Sequence, residues 1–318
     1  MFDGVDSQSN WLLLSHMLSK ATMRKGNQDS YYNLISQLFG ASENFNPPIA
    51  AIKQINSSVD GSLGGWWCCA TPAIITPNRD HLDLVQIAGF GITEKEAKSF
   101  CDEFNDYFKG DGLRFSFVTP DKWYCCLVDK NEQGFQVSNA SPFDIDGEDI
   151  APYIPKGKSG SQWRKIFNEM QMLLHHSVTN HKRSQAGKPE INSVWYWGGG
   201  ALTESDRSLF NGSSTTVFGN DQYCIGLGQL GSAKVSALSE SISVTNVSKN
   251  NLIVLNLDSV NWHEWDEKYF TPAVNLLKNG DTDAISFYLD LHNIFYLTRM
   301  DLYKFWKGEK SISQFSNV

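Results

Sequence analysis

No part of this 318-residue chain approaches the roughly 20 consecutive apolar residues needed to cross a bilayer. Its opening, MFDGVDSQSN, has neither the basic start nor the apolar run of a secretory signal. A cytoplasmic protein without membrane attachment is expected. Basic residues are outnumbered, 27 against 35 acidic, for a formal net charge of -8, which argues against a general nucleic-acid binder. Zinc-type cysteine spacing is missing as well: the 6 cysteines form no CxxC and no paired Cys/His pattern. Cys68-Cys69 and Cys125-Cys126 lie in strand-like runs, where neighbouring side chains face opposite sides, so they read as small buried hydrophobes. A phosphate loop of the G-x-x-x-x-G-K-[ST] kind and a G-x-S-x-G nucleophile elbow are both absent, which sets aside P-loop nucleotide hydrolysis and leaves nucleophilic catalysis without a foothold.

What is present suits a packed interior, with 41% hydrophobic and 13% aromatic residues, enough for one large or two interleaved domains. Helical periodicity marks 11–21 and 30–39, and Asn46-Pro47-Pro48 marks a boundary. Strand-like runs follow at 49–55, 65–70, 82–87, 113–118 and 123–128 around a helix at 93–108. That helix opens on Thr93-Glu94-Lys95-Glu96, a capping box. A Ser-, Pro-, Gly- and Asp-rich stretch at 136–161 closes the block. Helix and strand then alternate, with strands at 215–218 and 251–257, a helix at 270–277, strands at 285–291 and 295–298, and a helical turn at 301–306. The order predicts an α/β fold with a mostly parallel sheet flanked by helices and an inserted α+β domain. Its core would be discontinuous, 1–45 and 156–318, with 46–155 inserted.

The densest chemistry lies at 168–200. As a helix, 162–176 puts Trp163, Ile166, Phe167, Met170, Leu173 and Leu174 on one stripe, and Arg164, Asn168, Gln171 and His175 on the opposite one. Those four are directional hydrogen-bonding groups, suited to recognition. A basic turn through His181, Lys182 and Arg183 leads to a strand at 191–197 that ends in Gly198-Gly199-Gly200, where bare backbone can approach a ligand. The candidate ligand set is Arg79, Asn168, Gln171, His175, Asn180, Arg183, Asn192, Trp195, Trp197, Gly198, Gly199 and Gly200. Arg183 and Arg79 would hold an anionic group, the asparagines would orient it, and the glycines would offer amides. Asp80 is expected to orient Arg79 or to pair within the turn. Gly226-Leu227-Gly228-Gln229-Leu230-Gly231 matches G-x-G-x-x-G, but no acidic residue follows at the required distance, and close helix packing is the better reading.

Asn180-x-x-Arg183, Gly187, and Ile191-Asn192-Ser193-x-Trp195-x-Trp197-Gly198-Gly199-Gly200 together resemble a proteobacterial family labelled cofactor-independent phosphoglycerate mutase, or Rpf-type regulatory protein. Asp60-Gly61, Trp66-Trp67, Ala70-Thr71-Pro72, Arg79-Asp80-His81-Leu82, Trp123-Tyr124 and the run from Asp301 to Trp306 extend the resemblance over most of the chain. Through that family the chain also looks like the archaeal-type mutases. The resemblance implies an alkaline-phosphatase-like core and, in active members, two divalent ions with a serine or threonine nucleophile. Ser177-Val178-Thr179-Asn180 stands where the family has His-Pro-Val-Asn, and the metal-ligand set is not evident. Asp3-Gly4-Val5-Asp6 and the group Asp258, His263 and Asp266 are the remaining candidates for ligands. The expected protein is therefore mutase-like, without metal or cofactor, and either binds a small anionic metabolite or regulates through it. An active mutase or related phosphotransferase and a scaffold without a small-molecule site are the alternatives.

Overall fold

The computed structural model describes residues 12–26, 30–55, 65–85, 89–129, 134–157, 159–211, 215–237, 242, 250–255, 262–311 and 314–315. In chain order the elements are α1 (Leu12–Lys20), β1 (Thr22–Lys25), α2 (Tyr31–Leu38), α3 (Ile49–Gln54), β2 (Trp66–Asn78), β3 (His81–Val85), α4 (Glu94–Phe108), β4 (Leu113–Thr119) and β5 (Lys122–Leu127). After these come α5 (Ser159–His176), α6 (Val178–Gln185), β6 (Ser193–Ala201), α7 (Glu204–Leu209), β7 (Thr215–Phe218), α8 (Gln222–Leu230), β8 (Lys234–Ser236) and β9 (Asn250–Ile253). The last are α9 (Trp262–Trp265), α10 (Thr271–Asn279), β10 (Ala284–Tyr288) and β11 (Asn293–Thr298). The chain divides into two compact units, residues 46–207 and residues 1–45 with 208–318.

In the unit at 46–207, one sheet runs β3-β2-β5-β4, with β6 paired to β2, and every pairing is antiparallel. Alternate residues of a strand point to opposite faces, and helices cover both. On α4, Phe100, Phe104 and Phe108 recur at helical spacing and are buried. Phe100 and Phe104 meet Trp123 at ring separations of 5.6 and 5.8 Å, while Phe104 and Phe108 meet Phe115 at 5.4 and 5.7 Å. Trp163 of α5 stacks on Phe167 at 4.5 Å and meets Trp195 edge-on at 5.7 Å. Each such ring, fully buried, contributes about 1.5–3 kcal/mol of transfer free energy. Cys68 and Cys125 face each other across β2 and β5 as free, buried thiols, and burial pushes Cys68 well above the ordinary thiol range.

The other unit holds two smaller sheets, β1-β11-β10, antiparallel, and β8-β7-β9, parallel. Leu14, Met17, Leu18 and Ala21 of α1 and its end pack with Leu277, Phe295 and Leu297. The helix α8 crosses from β7 to β8, as parallel neighbours require. The G-x-G-x-x-G run lies along α8, where a Cβ on Gly228 would come within 3.1 Å of Val235. Its glycine serves close packing of helix on strand.

Two expectations need correction. The sheets are mostly antiparallel, and parallel pairing among the described strands is confined to β7 with β8 and β9. The strand at 193–201 joins β2 in the antiparallel sheet rather than a parallel one. Residues 49–54, read as strand, form the helix α3. Pro48 fixes the backbone just before the first turn, where no amide donor is needed, and Ile49 and Ile52 then bury one turn apart.

Candidate functional site

The segment from α5 to β6 is ordered by side chains that bind backbone. Ser177, standing where the resembled family has histidine, is the N-cap of α6 and accepts from Asn180 N at 3.2 Å. Asn180 is buried between α6 and the approach to β6. Its Nδ2 donates to Leu174 O at 2.9 Å and Ile191 O at 2.6 Å, and its Oδ1 accepts from Ile191 N at 3.0 Å. Asn192 does the same to β2, donating to Ile75 O and accepting from Ile75 N, both at 2.8 Å. A third amide, Asn105 on α4, clamps Phe115 at 2.9 and 2.7 Å. In each case a carboxamide reproduces the donor and acceptor pair of a ladder rung.

Arg183 is 1% exposed. Its Nε and Nη2 donate to Pro189 O at 3.2 and 3.1 Å, and Nη2 also donates to Phe90 O at 2.7 Å. Nη1 lies 3.2 Å from Glu96 Oε2 as an ion pair, without the alignment of a hydrogen bond. Glu96 closes the capping box, accepting from Thr93 N at 2.7 Å and from Thr93 Oγ1 at 2.9 Å, and Lys188 Nζ reaches it at 3.2 Å. Burial works to raise the carboxyl pKa, but the Thr93 and Lys188 hydrogen bonds and the Arg183 charge overcome it and hold Glu96 below the usual carboxylate range. The guanidinium thus ties α6, the turn at 187–190, the loop at Phe90 and the start of α4 into one piece.

The remaining candidates fall into two groups. Trp195 and Trp197 are buried, their indole N–H groups donating to Ala140 O at 3.1 Å and Thr71 Oγ1 at 2.8 Å. Gly198, Gly199 and Gly200 lie inside β6 rather than beyond it. A Cβ on Gly198 would sit 2.9 Å from Ile49, one on Gly199 2.7 Å from Val137, and one on Gly200 2.7 Å from Pro48. These glycines let protein pack on protein. By contrast, Asn168 and His175 are exposed on α5 and Gln171 is half-buried between them. Arg164, on the same stripe, turns back to Pro155 O and Gly157 O at 3.1 and 3.3 Å. Arg79 is exposed in the two-residue turn between β2 and β3, with φ of 50°. It stands four residues from Ile75, about 13 Å along an extended strand. Asp80 pairs with His81 at 3.2 Å, and that hydrogen bond raises the imidazole pKa.

The structure therefore brings Asn180, Arg183 and Asn192 together as joints of one frame and leaves Asn168, Gln171 and His175 as an outward polar face. Spacing marks Glu96 only as the closing residue of a capping box and does not single out Asn105 or Lys188. An asparagine within the 15-residue helix α4 was a usable signal, because that residue disfavours helix interiors unless its side chain has work elsewhere. Among the described residues, no three His, Cys, Asp or Glu side chains are grouped so as to hold a metal ion. Asp3, Asp6, Asp258 and the His263 side chain lie outside the described residues.

No protein-family model matches the chain. Over 109 residues it is 29% identical to the 2,3-bisphosphoglycerate-independent phosphoglycerate mutase of Methanosarcina mazei, covering 34% of this chain and 27% of that protein. The enzyme of the same name from Methanosarcina barkeri is 32% identical over 122 residues, 38% of this chain and 30% of its own length. A probable enzyme of that name from Geobacter sulfurreducens is 34% identical over 126 residues, 40% of this chain and 31% of its own. The chain is thus a distant homologue of cofactor-independent phosphoglycerate mutases, through a match that spans less than a third of those relatives. Two solved structures align along most of the chain. A cofactor-independent phosphoglycerate mutase from Thermoplasma acidophilum is 14% identical with a TM-score of 0.41, covering 90% of this chain and 81% of that one. A Pyrococcus horikoshii protein is 12% identical with a TM-score of 0.47, covering 91% and 80%. No helix of the described residues is long and apolar enough to cross a membrane.

Proposed function

We propose that this protein is a mutase homologue that binds a small phosphorylated metabolite without transferring its phosphoryl group, and acts as a ligand-binding or regulatory protein. One observation supports this above all. In the segment that carries the family likeness, the arginine and the asparagines are bonded to the protein's own backbone, so what is kept there is a frame rather than reactive groups. Phosphoglycerate, the substrate class in the relatives' names, is the first ligand to test. Asn168, Gln171 and His175 retain outward-facing polar groups and are where we place its contacts. On this reading the insertion expected at 46–155 extends to 207, where the compact unit ends, and the alkaline-phosphatase-like core keeps its parallel pairing in β7 with β8 and β9.

Calorimetric titration with 2- and 3-phosphoglycerate, with and without Mn²⁺, together with an enolase-coupled mutase assay, tests the reading. The expected result is saturable binding, weakened about tenfold by Asn168→Ala or His175→Ala through the loss of one or two hydrogen bonds, and no interconversion. Turnover with Mn²⁺ would make the protein an active mutase that draws on ligands such as Asp258. Absence of binding to either acid would leave only the scaffold.

A further inference from the structure

The end of the unit formed by 1–45 and 208–318 carries a turn whose anchoring is out of proportion to its length. Asp301 caps it, accepting from Thr298 N at 2.8 Å and from Thr298 Oγ1 at 2.7 Å, and it pairs with Lys304. Lys20, 6% exposed, sends its ammonium to Lys304 O at 2.7 Å and Lys307 O at 2.9 Å. Lys307 returns the bond, donating to Lys20 O at 3.1 Å and Ala21 O at 2.8 Å. Two lysines thus lace the turn to the end of α1. Charge-assisted bonds to backbone carbonyls are stronger than neutral ones, so the turn is held in one shape.

That fixed turn presents apolar groups to solvent. Phe305 is 87% exposed, Met300 74%, Trp306 68% and Tyr303 62%. The Phe305 and Trp306 rings meet edge-on at 5.2 Å, which keeps them together. Large exposed apolar side chains concentrated in one short segment mark a candidate interaction site. From 299 to 310 the sequence RMDLYKFWKGEK has four basic and two acidic residues, a local excess of positive charge in a chain of net charge -8. Arg299 and Lys310, at the two ends of this run, are exposed.

We propose that this turn docks on an anionic lipid surface. Two features favour lipid over a protein face. A phenylalanine seven-eighths exposed projects from the surface, and burying it takes a medium that closes around it, as an interfacial lipid layer does. A stable protein contact needs about 800 Å² from each partner, more than one turn supplies. Tryptophan and tyrosine favour the headgroup level, phenylalanine and methionine the acyl boundary, and lysine and arginine the anionic phosphates. A contact this small would bind reversibly and at the tip of the turn.

Co-sedimentation of the full chain with vesicles of 30% phosphatidylglycerol in phosphatidylcholine, and with phosphatidylcholine alone, is the test. We expect binding to the anionic vesicles that falls as salt rises. The double variant Phe305→Ser, Trp306→Ser should lose at least about tenfold in partitioning, and Arg299→Glu with Lys310→Glu should lose the preference for anionic lipid. All four positions are exposed, and circular dichroism and thermal melts should match the wild type. The proposal is overturned if the wild type stays in the supernatant at low salt, or if the serine variant sediments equally. It is also overturned if the serine variant instead dissolves a dimer seen by light scattering in the absence of lipid, which would assign the turn to a protein contact.

Discussion

Replacing Arg183 separates a frame from a binding site. The side chain has no exposed surface and spends its donors on Pro189 O and Phe90 O, with Glu96 in ion-pair contact. In Arg183→Ala those carbonyls lose their charged donor and a cavity opens. Removing one partner of a buried pair costs about 3–5 kcal/mol. Lys188 continues to neutralise Glu96, which puts the expected loss near the lower end, about 3 kcal/mol, a large share of an ordinary stability of about 5–15 kcal/mol. Arg183→Lys keeps the charge but cannot fork to two carbonyls and should cost about 1–2 kcal/mol. Exposed Asn168→Ala and His175→Ala should stay within about 0.5 kcal/mol of the wild type. Urea unfolding followed by tryptophan fluorescence reads all four. Should Arg183→Ala unfold at the wild-type midpoint while abolishing binding of phosphoglycerate, the arginine is a ligand group and its assignment to the frame is refuted.

Three further outcomes follow from the same geometry. Asn180→Asp exchanges the amide donor for an acceptor facing Leu174 O and Ile191 O, and should lower stability by about 2–4 kcal/mol at neutral pH, measured by urea unfolding. Glu96, held below the ordinary carboxylate range, contributes stability that is complete above its unfolded pKa of about 4.3 and is lost as pH falls through the lower folded value. Urea midpoints from pH 6 to 3 should therefore drop less steeply in Glu96→Gln than in the wild type; parallel profiles would count against this. Gly199→Ala puts a methyl 2.7 Å from Val137 and 2.9 Å from Trp66 and should lower the melting temperature by the equivalent of about 1–3 kcal/mol.

Much of the local structure is legible in the residues. Thr93 to Glu96 marks the start of α4 because a capping box is a local device. The β-branched and aromatic run at 193–197 declares a buried strand. What escapes is tertiary. The three glycines read as an exit because nothing local shows that Pro48, Ile49, Val137 and Trp66 press against them. Asn180, Asn192 and Arg183 read as ligand groups because a side chain that grips distant backbone has the same composition as one that grips a metabolite. The exposed strand β1, TMRK, carries no apolar alternation, and its pairing with β11 decides its form.

The three carboxamide clamps make the fold of the 46–207 unit dependent on the chemical age of the molecule. Asparagine is thermolabile, and hydrolysis of its amide to a carboxylate deletes the nitrogen that Asn105, Asn180 and Asn192 each give to a main-chain oxygen. A single deamidation adds one negative charge and turns a rung that bound into one that repels. Loss of that nitrogen would open the joint at Phe115, Ile191 or Ile75 while leaving the rest of the chain's covalent structure unchanged.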